Sequence, residues 1–206
     1  ELDLEVFGLE ARQVNDLLLE AGFRAQWVGR AFGVFKLHPL PIDLGLPRQE
    51  RKTGDRHTDF EIEVDPGMSL EAAAARRDYT INAMYWSFRD KQLHDPHGGR
   101  RDLQERRLRP VGPRFREDPL RVLRGMQFAG RFDLVADAST IAYARAMDAT
   151  GLSRERIHGE WEKWLLKSIR PSAGLRFLKA TGWIQDYPEL ETLIGCPQEP
   201  AFHPEG

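Results

Sequence analysis

The sequence predicts an α+β fold in which short strands gather before about residue 100 and helices follow. Two observations predict it. Apolar residues alternate with acids over Glu1–Phe7 and return in short runs, punctuated by glycine and proline, as far as His94. From Asp102 onward they come instead at three- and four-residue spacing between isolated breaks at Gly151, Pro171 and Gly182. The implied organisation is a small head over residues 1–101, a helical neck over 102–170, and the start of a helical body with a linker over 171–206.

The first strand sets Leu2, Leu4 and Val6 against Glu1, Asp3 and Glu5. Glu1 and Asp3 therefore share a face, and two carboxylates on a rigid strand suit a hard divalent cation such as Mg²⁺. An ordinary solvent-facing acidic edge has the same pattern. Glu10–Ala21 reads as a helix with Val14, Leu17, Leu18 and Ala21 on one face and Gly22 as its stop. Three strand-like runs follow, Arg24–Val28, Gly33–Leu37 and Pro41–Leu46, the last two as a hairpin. Asp43 projects from the third and adds another carboxylate from a neighbouring strand. The turn Gly29–Gly33 offers backbone N–H groups and Arg30 to a phosphate, although glycine-flanked turns are common.

Pro47–Asp59 is charged, lacks a hydrophobic period and reads as a loop. Ser69–Arg76 is a short helix with a serine cap. It leads into Arg76-Arg77-Asp78-Tyr79-Thr80-Ile81-Asn82, whose guanidiniums, carboxylate and amide supply groups for phosphates and ribose hydroxyls. Tyr85–Phe88 and Gln92–His94 form a hairpin across Arg89-Asp90, and His94, Asp95 and His97 are turn residues without a fourth metal partner. Helices are expected over 118–132, 138–147, 154–167 and 172–181, with Trp161, Trp164 and Leu165 as a core stripe on the third.

Asp118, Arg121 and Arg124 fall three residues apart, with Asp118 as N-cap and Pro119 in the first turn of their helix. A carboxylate and a guanidinium side by side can meet the pairing edge of cytosine or adenine, accepting from the amino group and donating to the ring nitrogen. Uracil and guanine present a carbonyl and a ring N–H there. A plain exposed ion pair is the alternative.

The 206 residues are 41% hydrophobic and 30% charged with a formal net charge of −2, so contact with RNA or a triphosphate has to come from local arginine clusters. Such clusters run from Arg76 to Arg131. One cysteine, Cys196, excludes an internal disulfide framework and fits a reducing, cytoplasmic setting. No apolar run approaches the roughly 20 residues of a membrane span. The chain reads as a fragment, opening inside a strand and ending in the linker-like Pro197–Gly206.

Five stretches in order, Glu1-Leu-Asp3-Leu-Glu-Val-Phe-Gly8, Arg76–Met84, Asp95–Leu103 with Leu108-Arg109, Glu117–Arg124 and Arg156–Glu160, resemble the class II tRNA nucleotidyltransferase and bacterial poly(A) polymerase family. The resemblance covers essentially the whole chain. It implies a polymerase-β-like nucleotidyltransferase head that adds C and A from CTP and ATP to the tRNA 3′ end with Mg²⁺. Glu1 and Asp3 fall on the family's metal-binding pair, with glutamate where an aspartate is usual, and Asp43 on its third catalytic carboxylate. Arg77, Asp78 and Asn82 fall on the motif for ribose and phosphates, and Asp95–Arg109 on the hinge between head and neck. Asp118 and Arg121 fall on the pair that reads the base, supported by Arg124, and Arg156 and Glu160 on a brace of the neck. Phe202–Gly206 resembles the approach to the HD phosphohydrolase domain of one branch. A poly(A) polymerase or A-only adding enzyme shares the head motifs, and a catalytically decayed RNA-binding protein is the rival of another class.

Overall fold

The computed structural model describes residues 2–28, 33–52, 60–197 and 201, with main chain alone over 49–52 and 60–63. It forms two compact units, divided in sequence between Ala73 and Ala74. Among the described residues no helix is long and apolar enough to cross a membrane.

The first unit contains β1 (Leu2–Glu5), α1 (Ala11–Glu20), β2 (Arg24–Val28), β3 (Val34–His38), β4 (Ile42–Gly45), β5 (Arg48–Lys52) and β6 (Phe60–Val64), and α2 (Leu70–Ala74) ends at its boundary. α1 starts with a capping box in which Gln13 accepts the Glu10 N–H at 2.8 Å, and it stops at Gly22, whose φ of +79° only glycine adopts freely. The four-stranded sheet has the order β1-β4-β3-β2: the tight β2-β3-β4 meander is antiparallel, and β1 lies parallel to β4 at one edge. Val14 of α1 packs on Phe35, Leu37 and Leu44, the inward positions of β3 and β4, and on Leu46 just beyond β4.

The predicted loop after Pro47 is partly a strand, since β5 pairs antiparallel with β6. Pairing is a main-chain interaction and does not require apolar side chains on both strands. The regular Phe60-Glu61-Ile62-Glu63-Val64 alternation supplies the pattern that Arg48–Lys52 lacks. Residues 53–59 lie outside the described chain.

The second unit opens with a 3-10 turn over Thr80–Asn82 and continues through the β7 (Tyr85–Ser87) and β8 (Gln92–His94) hairpin, α3 (Gly99–Gln104), β9 (Arg107–Leu108), α4 (Leu120–Phe132) and β10 (Val135–Ala136). It ends with α5 (Ala138–Arg145), α6 (Arg154–Lys167), α7 (Pro171–Thr181) and α8 (Pro188–Glu191). The parallel β9-β10 pair interrupts the expected all-helical half; two residues per strand are too few to leave a period in the sequence.

α4 is the central element, burying Val122, Leu123, Met126 and Ala129 against Trp164 of α6 and Phe177 and Leu178 of α7. The Trp164 ring lies so close to α7 that a Cβ at Gly174 would come within 2.3 Å of its Nε1. Leu165, expected in the same stripe, is 66% exposed. It follows Trp164 by one residue, about 100° around the helix, and so turns away from the face that packs.

α3 is pressed against the Thr80–Asn82 turn. Thr80 Oγ1 donates to the buried Asp102 at 2.6 Å, and Arg109 donates to the same oxygen through Nε at 2.9 Å and to the His97 carbonyl at 2.7 Å. Gly99 makes the approach possible, because a Cβ there would lie 2.1 Å from the Thr80 carbonyl oxygen. Gly99→Ala is expected to destabilise the protein by about 2–3 kcal/mol, the usual cost of forcing backbones apart in a packed site. A denaturant midpoint equal to the parent's would contradict it.

Candidate active site

The first unit presents a row of polar side chains across its sheet. Asp3 of β1 is in register with Asp43 of β4, Asp43 with Lys36 of β3, and Lys36 with Gln26 of β2. Paired residues share a face, and neighbouring strands lie about 4.8 Å apart, so the two carboxylates are adjacent. Lys36 Nζ lies 3.2 Å from Asp43 Oδ2. The strand order explains the placement, since the parallel β1-β4 pairing brings residues forty apart side by side. Glu1, the other acid expected on this face, lies outside the described residues, as do Gly29 and Arg30.

Hard oxygen donors of this type fit a divalent cation that takes one or two carboxylates and keeps its other positions for water and phosphate. Among the described residues no group of three or more histidine, cysteine or acidic side chains converges, and Asp3 and Asp43 are the two carboxylates in register on this face. Lys36 was missed by sequence reading. The alternation Val34-Phe35-Lys36-Leu37-His38 puts it on the polar face, but nothing before folding shows that it meets Asp43.

The second unit gathers Asp78, Asn82 and Arg124. Asp78 is 5% exposed; its Oδ1 accepts the Tyr79 N–H at 2.8 Å and Asn82 Nδ2 at 3.1 Å, and its Oδ2 accepts Arg124 Nε at 2.5 Å. Burial alone would raise the Asp78 pKa. The charge and hydrogen bond of Arg124, helped by Asn82 and the Tyr79 amide, outweigh it and hold the carboxyl below its ordinary value. Arg124 also faces the buried Glu160 at 4.0 Å, and Lys163 donates to the same Glu160 oxygen at 2.8 Å. Arg77 donates through Nε to the Tyr85 hydroxyl at 3.3 Å and lies over its ring.

Asp118 and Arg121 stand together at the start of α4, where Pro119 rather than Asp118 occupies the cap position. Asp118 still does a cap's work, its Oδ1 accepting the Leu120 N–H at 3.0 Å. Its Oδ2 accepts Arg156 Nη2 at 2.6 Å, so the residue expected to brace the neck touches the carboxylate directly. Arg121 donates from Nη1 to the Arg114 carbonyl at 2.7 Å and from Nη2 to the Arg76 carbonyl at 2.9 Å. These partners orient both side chains without using up their capacity, because a guanidinium has five N–H donors and a carboxylate about four acceptor sites. Both side chains are part-exposed at the helix start. Arg124, one turn further on, is committed to Asp78.

Asp95 caps α3, its carboxylate accepting the Gly99 and Arg100 N–H groups at 2.6 and 3.0 Å, and His94 Nε2 meets Asp90 at 2.9 Å. These are turn contacts.

Comparison with known proteins places these motifs in a family context. Residues 9–109 match the Poly A polymerase head domain. A multifunctional CCA protein from Stenotrophomonas maltophilia is 46% identical over 189 residues, covering 86% of this chain and 46% of the relative. A Bacillus stearothermophilus CCA-adding enzyme solved in complex with CTP superposes with a TM-score of 0.63 at 26% identity, over 77% of this chain and 39% of that one. A tRNA nucleotidyltransferase solved with a primer tRNA and an incoming ATP analog gives 0.60 at 28% identity, over 97% and 56%. The chain spans about half the length of the curated relatives it matches.

Proposed function

The chain belongs to the tRNA nucleotidyltransferase and poly(A) polymerase family, with its α+β polymerase-β-like fold, and from that premise we propose that it carries the nucleotide-adding site of a CCA-adding enzyme. The substrates are CTP, ATP and a tRNA 3′ end, and the setting is cytoplasmic. The observation that carries this reading is the pair at the start of α4. Asp118 and Arg121 are each fixed by protein partners and retain acceptor and donor capacity for the edge shared by cytosine and adenine.

In the reaction the terminal RNA hydroxyl oxygen bonds to the α-phosphorus, the bond from that phosphorus to the bridging oxygen breaks, and pyrophosphate leaves while the hydroxyl proton passes to solvent. Asp3 and Asp43, with Glu1 by its sequence position, would hold Mg²⁺, which supplies a lowered hydroxyl pKa and charge neutralisation at the triphosphate. Lys36 balances the charge of Asp43. Asp78 positions Asn82 and Arg124, and the motif match assigns Arg77 to the ribose and phosphates.

The test is to incubate the full-length protein with tRNA ending at the discriminator base, Mg²⁺ and each nucleotide separately or together, then sequence the 3′ ends. Ordered C, C, A supports the proposal. Addition of A alone points to the A-adding or poly(A) reading, and no addition to a decayed RNA-binding protein.

Asp118→Asn is expected to lose about 10- to 100-fold of the discrimination against UTP and GTP, the ~1–3 kcal/mol carried by a bidentate base contact. The amide can turn a donor toward a carbonyl, which the carboxylate cannot. Steady-state rates with each nucleotide measure this, and an unchanged preference would sink the base-reading role.

A further inference from the structure

We infer that the phenol of Tyr79 is a positioning residue for base selection: it tethers the turn of α4 that carries Arg121 to the segment that holds the Arg121 guanidinium. This rests on the base-reading role proposed for Asp118 and Arg121.

Tyr79 is completely buried, and its hydroxyl donates to the main-chain carbonyl of Arg121 at 3.0 Å, across 42 residues of sequence. The ring is gripped edge-on by Phe115 and Phe128, with centroids 5.2 and 5.8 Å away. Its backbone is anchored too: the Tyr79 N–H donates to Asp78, the Thr80 N–H donates to the Arg109 carbonyl at 3.0 Å, and Tyr79 bridges to Pro110. The hydroxyl reaches the helix only because residue 125 has no side chain. A Cβ at Gly125 would lie 2.2 Å from the Tyr79 oxygen.

Phenylalanine would meet the packing of this apolar pocket, so the hydroxyl has a separate use, and the group it meets belongs to Arg121. A helical carbonyl has two lone pairs; one takes the N–H four residues on, and the other is open to the phenol. Burial, with the Asp78 charge beside it, raises the phenol well above its ordinary pKa, so it remains a donor throughout the neutral range.

Arg121 is thus held at both ends by one short stretch. Tyr79 holds its carbonyl, and the Arg76 carbonyl, three residues earlier, holds its guanidinium. Freeing the first contact lets the turn move against the Arg76–Asn82 segment, and small misplacements of a positioning group are costly. The hydroxyl is fully buried and acts only through the turn that carries Arg121, so the loss falls on nucleotide choice rather than on RNA binding.

The experiment compares the parent full-length protein with Tyr79→Phe, measuring kcat and KM for CTP, ATP, UTP and GTP, KM for the RNA primer, and amide exchange across Leu120–Gly125. The expected result is a rise of about 3- to 10-fold in KM for CTP and ATP, a similar fall in discrimination against UTP and GTP, and faster exchange in that turn, with KM for RNA unchanged. Discrimination within two-fold of the parent, shown as about equal kcat/KM ratios, would overturn the inference. A variant that does not fold assigns the phenol to stability alone and also overturns it. A parent protein that adds no nucleotide refutes the base-reading role itself, and is told apart because the failure is already present with Tyr79 intact.

Discussion

Arg124→Met is expected to lower stability by about 3–5 kcal/mol, because it leaves a buried carboxylate without its counter-ion. Asp78 is 5% exposed, and Arg124 supplies both its nearest charge and its 2.5 Å hydrogen bond. Methionine fills much of the same volume, so the loss reports charge rather than a cavity. The pH dependence is the sharper signature. In the parent, the Asp78 pKa is lowered in the folded state, so its contribution is present above the unfolded value near 4 and is lost as pH falls through the folded one. In the variant, burial outweighs the remaining Asn82 and Tyr79 hydrogen bonds and raises the folded value, and the sign reverses: stability is gained as pH falls toward the unfolded value. Thermal midpoints between about pH 3 and pH 7 distinguish the two profiles. Asp78→Asn in the Arg124→Met background should restore part of the loss, since the uncompensated charge is gone. Parallel pH profiles for parent and variant would show that Arg124 does not set the state of Asp78.

Asp3→Asn is expected to reduce nucleotide addition about 1,000-fold while leaving stability within about 0.5 kcal/mol of the parent. Asp3 is exposed at the edge strand, so no packing is lost with its charge. What is lost is one of the two described carboxylates in register at the proposed cation site, and about 4 kcal/mol of barrier corresponds to that factor. Single-turnover rates with CTP check the activity and denaturant unfolding checks the fold. A variant that unfolds cooperatively like the parent and adds CTP at the parental rate would remove Asp3 from the chemistry.

The α4 pair shows how much of the site was legible in one dimension. Three-residue spacing put Asp118, Arg121 and Arg124 on one side of a helix, and local periodicity is enough for that. It could not assign their partners. Asp118 meets Arg156, Arg121 meets the carbonyls of Arg76 and Arg114, and Arg124 turns inward to Asp78. These are contacts between segments up to 46 residues apart, and nothing in the spacing of a single helix encodes them.

The same division runs through the fold. Alternation identified β1, and short runs punctuated by glycine and proline identified β2 to β4, because strand and turn propensities act over a few residues. β5 escaped because its pairing is made by main chain whose partner lies beyond residue 59. The sequence by itself determined the types of most elements, from β1 to α7, and the family motifs, all of which are local patterns. Only the tertiary structure decided that Asp43 stands beside Asp3 with Lys36 against it, and that Tyr79 reaches Arg121 past Gly125. The reason is physical: register and close packing arise when distant segments exclude water together, and no single segment carries that information.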